Sequence, residues 1–185
     1  RLFVWGQGTA GQLGHGSYLN KNTPVEITSK FSLNDGDRII SVSLGAYHSA
    51  ALTATGRLFL WGSNTHGQLG NKTYNHQASP IDITQHFNLL NGEKITQIDL
   101  GGFHSAAVTS LGRLFTWGTN ANGVIGDLSI AANRNQPTNI TNQFTLDPND
   151  SIVSSSLSIN NYSALTVRGR LFVWGHNNYG KIGNN

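Results

Sequence analysis

Apolar and polar side chains alternate every second residue in short runs along this chain, and no stretch places apolar residues at helical spacing. In Arg38 to Leu44 (RIISVSL), Ile40, Val42 and Leu44 fall on one face of an extended segment. Thr23 to Thr28 alternates in the same way, with Pro24 at the entrance, where a strand tolerates proline. His48 to Thr53 (HSAALT) reads as a strand of small residues. After the turn Ala54-Thr55-Gly56 the chain enters Arg57 to Trp61, and Gly56 supplies the positive φ of a short hairpin.

The same four pieces recur. Ser79-Pro80-Ile81, Lys94 to Leu100, His104 to Thr109 and Arg113 to Trp117 form a second set. Gln136-Pro137, Ser151 to Leu157, Tyr162 to Thr166 and Arg170 to Trp174 form a third. The hexapeptides RLFVWG, RLFLWG, RLFTWG and RLFVWG begin at Arg1, Arg57, Arg113 and Arg170, so the spacings are 57−1 = 56, 113−57 = 56 and 170−113 = 57. A fixed period of this length means that each unit is one module that buries its apolar face against the next. Four strands of about five residues per unit predict an all-β chain. The expected architecture is a β-propeller segment of four-stranded antiparallel blades, about three blades plus an extra strand. The corresponding units are 1–14 (the end of a preceding blade and its loop), 15–70, 71–126 and 127–185, all in one propeller segment.

After each Trp-Gly comes a loop that ends on an apolar residue between two glycines: Leu13, Leu69, Ile125 and Ile182. Its register never slips, which predicts an anchor against a neighbouring blade. Composition agrees with strands and turns: 22 glycines, and 11% charged residues against the usual quarter. The net charge of +3 is spread without a run of Lys or Arg, so a nucleic-acid partner is not expected. There is no cysteine, which removes disulfides, thiolate metal sites and a cysteine nucleophile. No apolar run reaches the length of a membrane helix, and no signal peptide is visible. The chain starts at Arg1 inside a repeat and contains no Met, so an excerpt of a longer protein is expected; the compartment is left open.

Trp61 to Gly70 (WGSNTHGQLG), with Gly45 to Leu52 (GAYHSAAL) and the following Gly-Arg-Leu-Phe, resembles the repeat of the regulator of chromosome condensation family. The pattern returns at Trp117 to Gly126 and Gly101 to Val108 and covers nearly the whole chain. The resemblance implies a β-propeller, typically seven-bladed, that closes with further repeats or with other copies. The third unit departs from the pattern: Ser158 and Asn161 stand where Gly45 and His48 stand in the first, and one extra residue precedes Pro137. That blade is expected to be more weakly specified or altered for a contact. A photoreceptor within the family carries Trp and Arg after the glycine of its G-x-x-H motif; here Ala46-Tyr47 and Gly102-Phe103 occupy those places, so that role is not carried over.

Several local motifs have plainer readings. Gly6 to Gly11 matches the dinucleotide fingerprint G-x-G-x-x-G, but Gln12 to Gly16 offers no helix to hold a pyrophosphate. The positions equivalent to Gly8 are Asn64, Asn120 and Asn177, which points to a turn that uses the left-handed conformation. His48 and His104 recur without a second ligand at metal spacing, and Ser49 and Ser105 beside them point to the opposite strand face. No catalytic, cofactor or metal site is expected, and the chain is read as non-enzymatic. Trp5, Trp61, Trp117 and Trp174 read as blade-to-blade packing. Arg1, Arg57, Arg113 and Arg170 form a rim of solvated hairpin charges, with an anionic partner as the minority reading. Four glycosylation sequons, at Asn71, Asn139, Asn149 and Asn161, match what chance gives for this composition.

The segments His15 to Asn22, Asn71 to Ala78 and Asp127 to Gln136 nearly keep length but lose identity between units. Variable loops on a rigid scaffold are where binding usually resides. The candidate partner-binding residues are Tyr18, Lys21, Tyr74, His76, Ile130 and Arg134. The leading functional reading is a non-catalytic protein–protein interaction scaffold. The family resemblance adds two alternatives: guanine-nucleotide exchange on a small GTPase, although no unit holds an insertion longer than one residue, and a secreted bacterial protein inhibitor, since a protein inhibitor of β-lactamase has a similar fold. An isolated segment would expose an apolar blade face at each end and self-associate.

Overall fold

A computed structural model describes residues 1–129, 133–180 and 182–183. Thirteen strands are found among them: β1 Phe3–Gly6, β2 Lys21–Glu26, β3 Ile39–Leu44, β4 His48–Thr53, β5 Leu58–Gly62, β6 Gln77–Asp82, β7 Ile95–Leu100, β8 His104–Thr109, β9 Leu114–Gly118, β10 Arg134–Asn139, β11 Ile152–Leu157, β12 Asn161–Thr166 and β13 Leu171–Gly175. They form antiparallel sheets in the orders β1-β2, β3-β4-β5-β6, β7-β8-β9-β10 and β11-β12-β13. The second and third sheets are complete four-stranded blades. No helix is long and apolar enough to cross a membrane among the described residues.

The proline strand joins the strand before it: Phe59 pairs with Asp82, and Thr116 with Thr138. A blade is therefore out of phase with the sequence repeat, taking its last strand from the start of the next unit. Pro24, Pro80 and Pro137 all lie on edge strands, β2, β6 and β10, where a missing N–H costs no ladder bond. The opposite edges converge: β3 touches β7 and β7 touches β11, which places the first strand of each blade on the inside of the curve.

Between blades lie three apolar seams. Ala51, Phe59 and Trp61 meet Ile27, Leu2 and Val4 in the first. Leu52, Leu58, Leu60 and Ile83 meet Ile98, Leu100, Phe115 and Trp117 in the second. Val108, Leu114 and Ile140 meet Ile152, Tyr162, Leu157 and Trp174 in the third. Each seam is wedged by a phenylalanine from a short 3₁₀ turn or its end: Phe31 packs edge-on against Phe59 and Trp61, Phe87 against Phe115 and Trp117, Phe144 against Phe172 and Trp174, with centroids 4.9–5.6 Å apart. Such pairs contribute about 0.5–1.5 kcal/mol each beyond burial.

Three of the four tryptophans, Trp61, Trp117 and Trp174, pack between blades as the sequence predicts; Trp5, at the open end of the segment, is 60% exposed and has no blade to face. The indole N–H of Trp61 donates to Gln12 O at 2.9 Å, that of Trp117 to Gln68 O at 2.8 Å and that of Trp174 to Val124 O at 3.0 Å. Gly70 lies beneath the ring: a Cβ there would stand 2.8 Å from Trp117 Nε1, and Gly14 and Gly126 bear the same relation to Trp61 and Trp174. The anchors Leu13, Leu69 and Ile125 are buried.

At the two ends the seam residues have no blade to face. Val42 and Leu44 are 49% and 74% exposed, whereas their equivalents Ile98 and Leu100 are 4% and 7% exposed. At the other end Leu171 is 64% exposed against 0% for Leu58 and Leu114. This is the exposed apolar blade face expected at each end of such a segment.

Candidate interaction face

Antiparallel order sends the loops to two opposite faces. One face gathers the loops that follow each Trp-Gly and the tight turns Gly45–Tyr47, Gly101–Phe103 and Ser158–Asn160; it is called the Trp-Gly face below. The other carries the hairpins that precede each Arg-Leu-Phe and the segments that follow β2, β6 and β10.

The Trp-Gly loops are held from within by one asparagine. Asn64 Nδ2 donates to Asn71 Oδ1 and Thr73 O, both at 2.9 Å, while its Oδ1 accepts from Leu69 N at 2.9 Å. Asn120 does the same with Ser129 and Ile125, and Asn177 Oδ1 accepts from Ile182 N. None of these asparagines has a positive φ. The sequence reading is corrected on this point: the residue is kept for its side-chain staple, and Gly8 substitutes for it because a Cβ there would fall 2.1 Å from Leu19 O. The loop after Gly6 to Gly11 runs on as turns without a helix, as expected.

Neighbouring loops are also tied to each other. Gly16 N donates to Ala78 O at 2.8 Å, Lys72 N to Asn135 O at 2.7 Å and Ala46 N to Gly101 O at 3.2 Å. These backbone bonds cross from blade to blade and make the face a preformed surface.

Of the six residues singled out in the sequence, five lie on this face and Ile130 lies outside the described residues. Tyr18 is half exposed and its hydroxyl donates to His76 O at 3.5 Å, so the first two loops meet there. Tyr74 is half exposed, His76 is exposed, and Lys21 opens β2 opposite Gly6. Arg134 is engaged at home: it pairs with Asp127 at 2.5 Å and donates to Ser129 Oγ at 2.8 Å. Missing from that set are Tyr47, Phe103 and His66. Tyr47 stacks on Phe103 with centroids 5.4 Å apart, and His66 covers the same ring at 4.8 Å. For Tyr47 and Phe103 the signal was an aromatic residue at the same place in two successive units; His66 stands where Ala10 and Asn122 stand in its neighbours and gave none.

Charge is divided between the faces. Glu26, Asp35, Asp37, Asp82, Glu93, Asp147 and Asp150, seven of the nine acidic residues, lie on the opposite face. Asp99 is on the inner strand β7, and Asp127 alone belongs to a Trp-Gly loop. The acids of the opposite face meet the arginine rim. Arg57 pairs with Asp82 at 2.8 Å, Arg113 with Glu93, Arg1 with Glu26 at 2.5 Å and Arg170 with Asp147 at 3.5 Å. Each guanidinium also lies about 5 Å over the phenylalanine two residues on. The rim is therefore neutralised, which removes the basis for an anionic partner there.

The recurrent histidines are seam residues. His48 points forward to the next blade, where Nε2 lies 2.9 Å from Ser105 Oγ, and Ser49 points back, donating to Gln12 O at 2.8 Å. Ser105 donates to Gln68 O at 2.8 Å, so its oxygen accepts from the His48 Nε2 proton. A serine whose proton is committed to a carbonyl, beside an imidazole that is itself the donor, is not poised as a nucleophile. Burial drives the His48 pKa down to about 3 and that of His104 to about 4. In the third unit Tyr162 replaces the serine. It stacks on His104 at 4.6 Å and on Trp174 at 5.3 Å, and its hydroxyl donates to Ser105 O at 3.3 Å. Tyr162 was not part of the departure read from the sequence; of the residues that were, Asn161 turns inward to its own blade, its Nδ2 donating to His176 O at 2.8 Å and its N–H to Ser158 Oγ at 3.1 Å, where His48 bridges to the next blade.

Comparison with known proteins agrees with this geometry. The family model described as the regulator of chromosome condensation (RCC1) repeat matches residues 1–52 and 55–108, and a second model of the same repeat matches 39–68 and 95–124. The probable E3 ubiquitin-protein ligase HERC6 of Homo sapiens is 37% identical over 99% of this chain and 17% of its own length. The ultraviolet-B receptor UVR8 of Arabidopsis thaliana is 30% identical over 97% of this chain and 38% of its own. Among solved structures, human WBSCR16 superimposes with a TM-score of 0.81 at 27% identity, covering 98% of this chain and 44% of that one. Prp20p of Saccharomyces cerevisiae, whose binding properties toward Gsp1p and histones accompany its structure, gives 0.80 at 25% identity, over 99% and 43%. The chain thus spans less than half of each of these relatives. Its repeats, seams and blade order place the chain in the RCC1 repeat family, as a segment of that family's β-propeller.

Proposed function

We propose that this segment is a non-catalytic interaction scaffold that presents its Trp-Gly face to a protein partner, with its two open blade faces covered by further repeats of a longer chain or by a second copy. The observation that carries this reading is the placement of tyrosine. Tyr18, Tyr47, Tyr74 and Tyr179 are exposed, all four lie on the Trp-Gly face, and Tyr162 is buried in a seam. Exposed tyrosine on a rigid frame gives large contact area at a small cost in side-chain entropy. The loops beneath are fixed by asparagine staples and by backbone bonds between blades, so little conformational freedom is lost on binding.

The test places a photo-crosslinking residue at position 18 or 74 of the intact protein, with position 94 on the opposite face as control. A partner trapped from 18 and 74 but not from 94, with capture from 18 weakened by Tyr74→Ala and capture from 74 weakened by Tyr18→Ala at an unchanged melting temperature, is the expected result. Capture that survives both alanine replacements refutes the assignment of these loops.

A further inference from the structure

We propose that the outer wall of the first seam binds a phosphoryl group, held beside Gly16 by Lys30, Ser79 and the neighbouring His15. The site lies between β2 and β6, the outer strands of the first two sheets, and does not depend on the reading of the Trp-Gly face as the partner surface.

Polar side chains from two blades converge here on a residue that has no side chain of its own. A Cβ built at Gly16 would stand 3.5 Å from Lys30 Nζ and 3.7 Å from Ser79 Oγ, although Lys30 follows β2 and Ser79 belongs to β6. The bond from Gly16 N to Ala78 O at 2.8 Å holds the loop against β6. The backbone does not by itself demand glycine: the equivalent residues Lys72 and Leu128 are also left-handed, at φ 64° and 61° against 98° for Gly16, and both carry side chains. Only the first unit leaves that space open, and it does so beside an ammonium and a hydroxyl.

The residue before Gly16 carries a polar atom with nothing to bond. His15 Nδ1 is buried and has no hydrogen-bond partner among the described residues, while Nε2 lies 3.0 Å from Ser17 Oγ. With the serine hydroxyl donating to Nε2, Nδ1 bears the proton and is a donor without an acceptor. The equivalent residues are engaged: Asn71 accepts from the staple Asn64, and Asp127 pairs with Arg134. In the first unit Gly8 replaces the staple asparagine, so His15 is released from that duty.

The charges that act on this imidazole are of one sign. Burial, then Lys21 and Lys30, lower the His15 pKa; at the second seam burial and Lys72 lower that of His86, but Asp82 draws it back. Neither Lys21 nor Lys30 makes an ion pair among the described residues. An ammonium, a hydroxyl and an imidazole N–H, with a second ammonium in reach of the same field, suit a tetrahedral dianion whose oxygens accept from several directions. A carboxylate offers only two oxygens in one plane.

The experiment follows the His15 ring signals of the full chain by NMR, assigned by their absence from His15→Asn. The probes are inorganic phosphate, acetate and chloride at matched ionic strength, then a peptide bearing one phosphoserine and its unphosphorylated twin. Phosphate is expected to shift the signals saturably, to bind about tenfold or more tightly than acetate, and to raise the His15 pKa by offsetting the two lysines. Lys30→Gln, which installs the residue found at position 143, should weaken phosphate about tenfold, and Gly16→Leu, which installs the residue found at position 128, should do so without changing charge. Lys94→Gln should change nothing. Tighter binding of the phosphoserine peptide than of phosphate assigns the group to a protein partner, and the reverse assigns it to the free ion. Shifts from acetate or chloride equal to those from phosphate, no saturable shift at all, or phosphate affinity unchanged in Lys30→Gln at an unchanged melting temperature overturns the proposal. Lys30 is exposed, so its result stands even if Gly16→Leu fails to fold.

Discussion

Replacing Ser105 by alanine removes one oxygen from a site with no access to water, and its cost follows from what that oxygen serves. Ser105 Oγ donates to Gln68 O at 2.8 Å and accepts from His48 Nε2 at 2.9 Å, and both Ser105 and His48 are fully buried. Gln68 O keeps the Trp117 indole N–H at 2.8 Å, so losing the serine donor costs about 1 kcal/mol. His48 fares worse. Beyond Ser105 Oγ only the backbone of His104 lies close enough to favour its proton, and shifting the proton to Nδ1 brings no relief, because Nδ1 is buried and unpaired. An orphaned buried donor costs about 1–3 kcal/mol, so Ser105→Ala should destabilise by about 2–4 kcal/mol.

Ser49 provides the control. It occupies the same place one blade earlier and donates to Gln12 O at 2.8 Å, a carbonyl that also keeps its indole, but among the described residues no histidine donates to it. Ser49→Ala should therefore cost only about 1 kcal/mol. The two variants are compared by urea unfolding, reading the midpoint at constant m, since a change in m would signal blades unfolding separately. Costs that agree within about 0.5 kcal/mol, the scatter of near-neutral surface substitutions, would show that the imidazole bridge contributes nothing to the seam.

Two further outcomes follow from ionisation. His48 and His104 titrate near 3 and 4 when folded against 6.5 for the free side chain, so the unfolded chain takes up protons that the fold refuses. Stability should fall as pH drops from 6.5 toward 4, by about 2–3 kcal/mol per pH unit with both histidines present. His104→Asn, the residue found at position 161, should roughly halve that slope in chemical denaturation followed against pH, and a flat profile between pH 6.5 and 4.5 would contradict the neutral assignment. Glu93 is held the other way: the Arg113 guanidinium and the Thr109 hydroxyl lower its pKa from 4.5 to about 2, so its contribution is complete above 4.5 and is lost as pH falls toward 2. Glu93→Gln should cost on the order of 2–3 kcal/mol at neutral pH and nearly nothing at pH 2, measured by thermal unfolding.

The strands and their period were legible because alternation and repetition are local facts about order along the chain. The phase of the blade was not. Pro80 lies on a strand separated from β5 by a loop about as long as the one that separates it from β7, so distance along the chain does not say which sheet β6 joins. The decision comes from pairing across space, Leu60 to Ile81. Asn64 was recognised as periodic but given the wrong cause, because Gly and Asn share a turn preference and only the folded loop reveals the staple to Asn71 and Leu69. For the face, Tyr18 and Tyr74 were visible as aromatic residues in variable loops. Tyr47 and Phe103 were visible only as substitutions in a family motif, and that their rings meet depends on two turns being brought side by side by the seam beneath.

The seams themselves are not interchangeable, which bears on how a chain of near-identical units keeps its order. At the inner edge of the second seam, Ile98 fills the gap and Leu100 N donates to Ser43 Oγ at 3.2 Å. At the same place in the third, Ser155 replaces the aliphatic residue and donates to Asp99 at 2.5 Å, while Gln97 donates to Ser155 O at 2.8 Å and accepts from Ser155 N at 3.2 Å. Burial raises the Asp99 pKa, so the clasp carries a desolvation cost that an isoleucine would not. What it adds is discrimination: Ser155 set against Ser41 and Ser43 would lose its carboxylate and amide partners, and Ile98 set against Gln97 and Asp99 would bury their polar atoms unpaired. Exact repetition would leave the blades free to exchange neighbours. The polar substitutions within the seams fix which blade follows which, and with it which loops stand side by side on the Trp-Gly face.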